Sequence, residues 1–360
     1  TEGAAPMSST YLNQAGTSWP KPAPVLAAAQ ASLAVAPEDW TAQLEADHAA
    51  VAAELGTTPD RCLLTPGCTS ALAVGVADLP WRAGDRALLA GLAHVALERP
   101  AAALAARGVE VRVIPPRAGP PFAPIDLERV EEALSAGRVR ALLVPSADNV
   151  TGALFPLERL RTLTRAHGAL LVVDAAQTVG WGPLPTADRV AVGGHKGTQG
   201  LWGVGALIDA PGLVTTSPRI DGGTPGPGWC DVGSVDRPAL AALRAGLTWL
   251  EGQPERVALA RGRIRRLQDG LCASAEVAGP ADPEARVPTV AVRVPGVPSR
   301  LLAARLAERG VVAAGGLQCA PLAHRVLGTV SEGLLRWSIG PATDDAAIDR
   351  ALEAWARIRA

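Results

Sequence analysis

Lys21 and Lys196 are the only lysines in a chain of 360 residues that carries thirty-two arginines. A solvated positive charge can come from either residue type. An arginine stays protonated, however, whereas a lysine amine can lose its proton and attack an aldehyde. Lys196 lies in Val192-Gly193-Gly194-His195-Lys196-Gly197, ahead of the glycine-rich Gly200-Leu201-Trp202-Gly203-Val204-Gly205. The apolar run Ala169-Leu170-Leu171-Val172-Val173 ends in Asp174, 22 residues before Lys196. Taken alone, Lys196 also fits a chance surface lysine.

Other segments carry compatible chemistry. Thr65-Pro66-Gly67-Cys68-Thr69-Ser70 follows a short apolar stretch and opens a helix. Its glycine permits close backbone approach, and first-turn amides with the Thr69 hydroxyl can hold a phosphate; a plain helix cap reads the same way. His94 follows a strand-like run, as does Pro145-Ser146-Ala147-Asp148-Asn149-Val150-Thr151-Gly152, which by itself reads as a turn. Asp174 is more telling, because a carboxylate buried at a sheet end needs a charged partner. A protonated pyridine nitrogen is such a partner, and Gln177 could donate to the ring oxygen. Phosphate cradle, ring partner and amine together point to pyridoxal 5'-phosphate (PLP) chemistry.

The elements that would position these residues alternate along the first two-thirds of the chain. Strand-like runs occur at 87–92, 109–114, 141–144, 169–174 and 190–192, with helical patterns at 96–107, 127–135 and 157–167. Continuous apolar strands between amphipathic helices predict a mostly parallel sheet covered on both faces, with ligands at the strands' carboxyl ends. A long helical stretch over 239–271, bent near Gly252 and Pro254, precedes a proline-rich connector at 278–288. Beyond it the pattern predicts a strand at 289–294, a helix at 299–309 and a final helix at 344–359 capped by Thr343. The expected organisation is an N-terminal segment over 1–21 packing near the site, a large α/β domain over 22–240, and a smaller α+β domain over 241–360.

Composition narrows the classes. The net charge is −1 and the basic residues are scattered, which argues against nucleic acid or an anionic membrane as partner. No apolar run approaches the roughly 18 to 20 residues of a membrane-spanning helix. Residues 1–6 lack the apolar core of a secretory leader, and Met7 is the expected translation start. Five cysteines without a CxxC pair suggest neither a metal site nor a disulfide framework, and fit a reducing cytoplasm.

With these motifs in order, the chain resembles the class V aminotransferase-fold PLP enzymes, and within them the group II cysteine desulfurases and selenocysteine lyases. The resemblance runs through Tyr11-Leu12-Asn13-Gln14-Ala15-Gly16-Thr17-Ser18-Trp19-Pro20-Lys21-Pro22, Gly67 to Thr69, His94, Asn149 to Gly152, Asp174 to Gln177 and His195-Lys196. It continues through Asp231 to Asp236, Leu317 to His324 and Leu335 to Gly340. It implies a fold-type I PLP-dependent transferase with Lys196 holding the cofactor and moving the α-proton. Gly67, Cys68, Thr69, His195 and Ser234 would bind phosphate, with Ser234 reaching the other subunit of a homodimer. His94 would stack on the ring and serve in proton transfer, Asn149 and Gln177 would contact the ring oxygen, and Asp174 the ring nitrogen. Arg336 would clamp the substrate carboxylate, with Asn149 and Gly16 nearby; a structural ion pair is the plainer reading of Arg336.

Cys319 lies in Gly316-Leu317-Gln318-Cys319-Ala320-Pro321, which keeps the family's local frame. The resemblance implies a persulfide there, formed as L-cysteine becomes L-alanine, with the sulfur passed to an acceptor protein. An inert cysteine is the competing reading. It leaves β-elimination of a cysteine conjugate to pyruvate and ammonia, or another class V aminotransferase-like activity without a persulfide, as the alternative activities. Departures from the family pattern are Gly193, Ala93, Ala314, Gln318, Gln14 and Gly16. They gather toward the substrate and sulfur side, and leave free cysteine and selenocysteine both open as substrates.

Overall fold

The computed structural model describes residues 9–117, 119, 121–213 and 235–359. Strand β1 (Thr10–Tyr11) comes first, then helices α1 (Ala23–Leu33) and α2 (Trp40–Glu54). The large sheet follows with β2 (Cys62–Thr65), β3 (Arg86–Ala90), β4 (Glu110–Ile114), β5 (Val139–Pro145), β6 (Leu170–Asp174), β7 (Arg189–Gly193) and β8 (Gly205–Asp209). Four helices lie between these strands: α3 (Cys68–Ala77), α4 (Val95–Ala103), α5 (Leu127–Ser135) and α6 (Leu157–Ala166). The strands lie in the order β2-β8-β7-β6-β5-β3-β4. All neighbours are parallel except β8, which runs antiparallel to both β2 and β7.

The apolar runs explain this arrangement. Side chains alternate across a strand, and the central strands alternate between two cores. Leu142, Val144, Leu171, Val173, Val190 and Val192 enter one core. Ala141, Leu143, Val172 and Ala191 enter the other. A continuous apolar run is therefore a two-faced strand, with helices on each side supplying the apolar partners. Helix α5 shows the complementary pattern. Asp126 caps it by accepting from the amides of Glu128 (3.1 Å) and Arg129 (3.3 Å), while Val130, Ala133 and Leu134 are buried.

The remainder comprises α7 (Arg237–Glu251), α8 (Arg256–Cys272), β9 (Glu276–Ala278), β10 (Thr289–Arg293), α9 (Ser299–Ala307), β11 (Val311–Val312), α10 (Pro321–Val326), β12 (Leu335–Ser338) and α11 (Asp345–Arg359). An antiparallel sheet β12-β10-β9 packs on α8 and α11 through Ile264, Leu267, Val290, Val292, Trp337, Ile348 and Trp355. Leu12 joins this core, and β1 pairs in parallel with β11.

Several expectations sharpen. The helical stretch at 239–271 divides into α7 and α8 around Gly252–Glu255. The expected division after residue 240 falls inside α7, whose Leu243 and Leu247 share a core with β5 to β7. The connector begins in β9 and contains a short turn of helix at Pro283–Ala285. Thr343 does not cap α11: the Asp344 carboxylate accepts from Ala347 N (2.7 Å), while Thr343 Oγ1 accepts from Gly340 N. The aspartate's carboxylate reaches the third helical amide from one residue later, leaving Thr343 to close the preceding turn. No helix among the described residues is long and apolar enough to cross a membrane.

Candidate active site

A cavity of about 260 Å³ opens at the carboxyl ends of the large sheet. The loop after each of four parallel strands supplies part of it: Gly67, Cys68 and Thr69 after β2, His94 after β3, Asn149 after β5, and His195 with Lys196 after β7. Asp174 is the last residue of β6, and Gln177 follows one turn later. Strand alternation and a shared strand direction thus bring together residues that are distant in sequence.

Gly67 caps α3 without a side chain, so no side-chain oxygen occupies the first-turn amides that border the cavity. A Cβ at Gly67 would meet nothing within 4 Å, which leaves that approach open. Asp174 Oδ1 accepts from Ala176 N (3.0 Å) and from the Cys68 thiol (3.4 Å). Burial and the neighbouring Asp174 charge hold the Cys68 thiol well above its ordinary pKa, so it remains a donor. Burial lowers the Lys196 amine, opposed by Asp174. The loop carrying Lys196 is tightly set: a Cβ on Gly197 would stand 2.2 Å from the Val179 carbonyl oxygen.

His94 Nδ1 accepts from Ala96 N at 3.1 Å, which leaves the ring proton on Nε2. Burial first, and then the Lys196 charge, lowers its pKa to about 4, so the ring is neutral near pH 7. His195 is likewise lowered to about 4, chiefly by burial; its Nδ1 lies 3.1 Å from Thr17 Oγ1 and its ring stacks on Trp202 at 5.9 Å. Gln177 donates to the Ala15 carbonyl (3.2 Å). The opening segment therefore closes one wall.

Arg336 is 4% exposed. It donates to the Asn149 carbonyl (2.8 Å) and to Asn13 Oδ1 (2.7 Å), while its Nε has no partner. No carboxylate among the described residues lies within ion-pair distance of it, although Asp148 acts on it from farther away. Burial lowers its pKa to about 10. Asn149 Oδ1 is also buried without a partner, while its Nδ2 donates to the Gln318 carbonyl (2.9 Å).

Cys319 is exposed and, like Arg336, does not line the 260 Å³ cavity itself. Its carbonyl accepts from Val95 N (3.0 Å), next to His94. Gly16 sits in the turn that Asn13 closes, its amide bonded to the Asn13 carbonyl (3.0 Å), and also stands off the cavity. Ser234 lies outside the described residues, as does Met7. Sequence reasoning gave no individual role to Asn13, Lys21 or Gln318. Asn13 and Lys21 lay in the quoted opening motif, but nothing local tied them to Arg336 or His195.

A lysine loop and a sheet-end aspartate on a mixed α/β sheet define the architecture of a PLP-dependent transferase. The chain belongs to the aminotransferase class-V family, which it matches over residues 10–351. Members of this family use pyridoxal phosphate. A cysteine desulfurase of Cereibacter sphaeroides is 33% identical over 247 residues, 64% of this chain and 62% of that protein. The matches to the first curated relatives span only 42% to 62% of those proteins' lengths. The apo structure of a cysteine desulfurase from Thermococcus onnurineus NA1 superposes with a TM-score of 0.89 at 22% identity, covering 98% of this chain and 94% of that one. A cystine C–S lyase, solved with its reaction product cysteine persulfide, gives a TM-score of 0.80 at 21% identity, covering 96% of each chain.

Proposed function

We propose that this protein is a PLP-dependent cysteine desulfurase that converts L-cysteine to L-alanine and carries the sulfur on Cys319. The residues present fit the cofactor. The uncapped start of α3, the open space at Gly67 and the partnerless Asn149 Oδ1 border one cavity with a buried amine and a carboxylate. Gly67, Cys68, Thr69 and His195 would hold the phosphate, with Ser234 assigned there by resemblance alone. Asp174 would face the ring nitrogen, His94 the ring face, and Asn149 with Gln177 the ring oxygen. When bound, PLP supplies an aldehyde and a ring that accepts the electrons released at the substrate α-carbon.

The chain's own groups then divide the work. Arg336 would bind the amino-acid carboxylate through the donor that lacks a partner, with Asn149 and Gly16 shaping the same approach. Lys196, with its amine lowered by burial, would take and return the α-proton. His94, neutral and protonated on Nε2, can relay a proton. The Cys319 thiolate attacks the substrate sulfur: a Cys319 S–S bond forms as the substrate C–S bond breaks. The electron pair of that bond stays with the carbon, which is protonated to give alanine. Cys319–SH and cysteine thus become Cys319–S–SH and alanine, with atoms and electrons conserved.

One observation carries this reading: the Cys319 loop is bonded to both sides of the site, through Gln318 to Asn149 and through Cys319 to Val95 beside His94. The rival, β-elimination from a cysteine conjugate, draws on the position of Cys319 outside the cavity. Incubation of the PLP-loaded protein with L-cysteine and a thiol reductant separates them. Alanine with matching sulfide supports the desulfurase, whereas pyruvate and ammonia refute it in favour of the lyase.

A homodimer is part of the proposal, supported by exposed Leu26 and Leu33 on α1 together with Trp19 and Trp202 near the cavity. So are a sulfur-acceptor protein reached from exposed Cys319 and a cytoplasmic location, in keeping with four described cysteines that are free. The packing of α7 against the large sheet supports a domain boundary at Gly252–Glu255, with the small domain carrying Cys319 and Arg336.

A further inference from the structure

Gln318 and Cys319 both adopt positive φ, +41° and +55°, a region that side-chain-bearing residues occupy only when their surroundings hold them there. The restraint is visible. Gln318 Nε2 donates to two carbonyls, Leu334 at 2.7 Å and Ala314 at 3.1 Å. Two acceptors fix which end of the amide is nitrogen, so Oε1 faces His324 Nε2 at 3.2 Å. His324 is fully buried, with Nδ1 at 2.8 Å from Thr329 Oγ1. An imidazole that donates to Gln318 from Nε2 accepts the Thr329 hydroxyl at Nδ1. The amide's two donors and its acceptor are therefore all engaged by groups in or beside β12 and α10. On the other side, the Gln318 carbonyl accepts from Asn149, and the Cys319 carbonyl from Val95.

We propose that Gln318 is a positioning residue: its amide, locked between the Leu334 and Ala314 carbonyls and His324, holds the Gln318–Cys319 backbone in the left-handed conformation that presents the Cys319 thiol toward the substrate. This rests on the desulfurase reading of Cys319. It accounts for a glutamine where the resemblance leads one to expect histidine. An imidazole offers at most two ring N–H groups, without an acceptor when both are protonated, and cannot satisfy two carbonyls and His324 together. A glutamate would set a carboxylate against two carbonyl oxygens.

The test uses PLP-loaded Gln318→Ala and Gln318→Gly beside the parent protein. Alanine removes the clamp and keeps the cost of positive φ, whereas glycine removes the clamp and relieves that cost. With L-cysteine, Gln318→Ala should lose about tenfold or more in kcat for alanine formation while KM changes less than about twofold, as expected when a reacting group is misplaced by about an ångström. Gln318→Gly should recover part of that loss; a residue that merely fills space gives the opposite order. Without substrate, the iodoacetamide labelling rate of Cys319 relative to exposed Cys272, read by peptide mass spectrometry, should rise at least about threefold in Gln318→Ala as the loop is released. An unchanged labelling ratio in both variants, or Gln318→Gly no better than Gln318→Ala, overturns the proposal. If the parent protein makes no alanine, the desulfurase reading fails, and the labelling ratios still decide whether Gln318 holds the loop.

Discussion

Lys21 Nζ donates to the carbonyl of His195 at 3.2 Å, so the chain's two lysines meet across a single peptide unit, one bonded to its oxygen and the other following it. The same carbonyl accepts from Ser18 N (2.9 Å), Thr17 Oγ1 (3.0 Å) and Ser18 Oγ (3.1 Å). Lys21 also donates to Ser18 Oγ and lies 5.4 Å from the centre of the Trp202 ring. Both lysines of the chain therefore lie where the opening segment is bonded to the Lys196 loop.

Burial lowers the Lys21 pKa from 10.5 to about 8. Between these values the unfolded chain holds the proton that the folded chain has released, so folding gains stability as pH rises. Below pH 8 both states are protonated, and the burial cost stands in full. The stability of the parent protein relative to Lys21→Met should therefore increase from about pH 8 toward 10.5, measured by urea unfolding. A pH-independent difference would contradict this.

The histidines give the acid-side counterpart. His94 and His195 are each lowered to about 4 from an ordinary 6.5, mainly by burial. In that window the unfolded state binds a proton that the folded state does not, so each costs stability as pH falls from 6.5 to 4. Replacing His94 with Asn should remove about one proton from the acid dependence of unfolding over this range.

Lys196→Ala should abolish turnover, and borohydride should no longer fix the cofactor to the peptide containing residue 196. Cofactor fixed by borohydride at another residue would defeat the assignment. Cys319→Ser should leave the cofactor's visible band intact while eliminating persulfide. Undiminished sulfur transfer in that variant would place the sulfur elsewhere.

Arg336→Met should raise KM for cysteine about ten- to a hundredfold, the scale of charge-assisted hydrogen bonds of about 1.5–3 kcal/mol. Cysteamine, which lacks the carboxylate, should be an equally poor substrate for the parent protein and the variant. A parent enzyme that clearly prefers cysteine while Arg336→Met does not would locate the discrimination at this guanidinium.

The sequence made the strand ends legible because fully buried strands leave unbroken apolar runs, and the candidate site residues sit at or shortly beyond their ends, as at Asp174 and His94. Two-residue strands left no such trace. β1 and β11 are too short to show a period, and β8 follows so many glycines that its start reads as turn. The contacts of Arg336 with Asn13 and Asn149 span 323 and 187 residues, and no local pattern encodes them. The Cys68–Asp174 bond is similar: its residues were both recognised, but their meeting depends on α3, which begins at Cys68, reaching the end of β6 although β8 and β7 separate β2 from β6 in the sheet. Thr343 and Asp344 are both capping types, and only the backbone geometry decides between them.

The long reach of the opening segment also sets a schedule. Thr10 pairs with Val311, and Ser338 Oγ binds Ala15 N across 323 residues. At ribosomal rates of about 5–20 residues per second, the segment waits about 15–65 s for that partner to be made. The sheet and its lysine loop are complete long before. A nascent chain thus completes the cavity proposed for the cofactor before it has made Cys319 and Arg336, the residues proposed to act on the substrate.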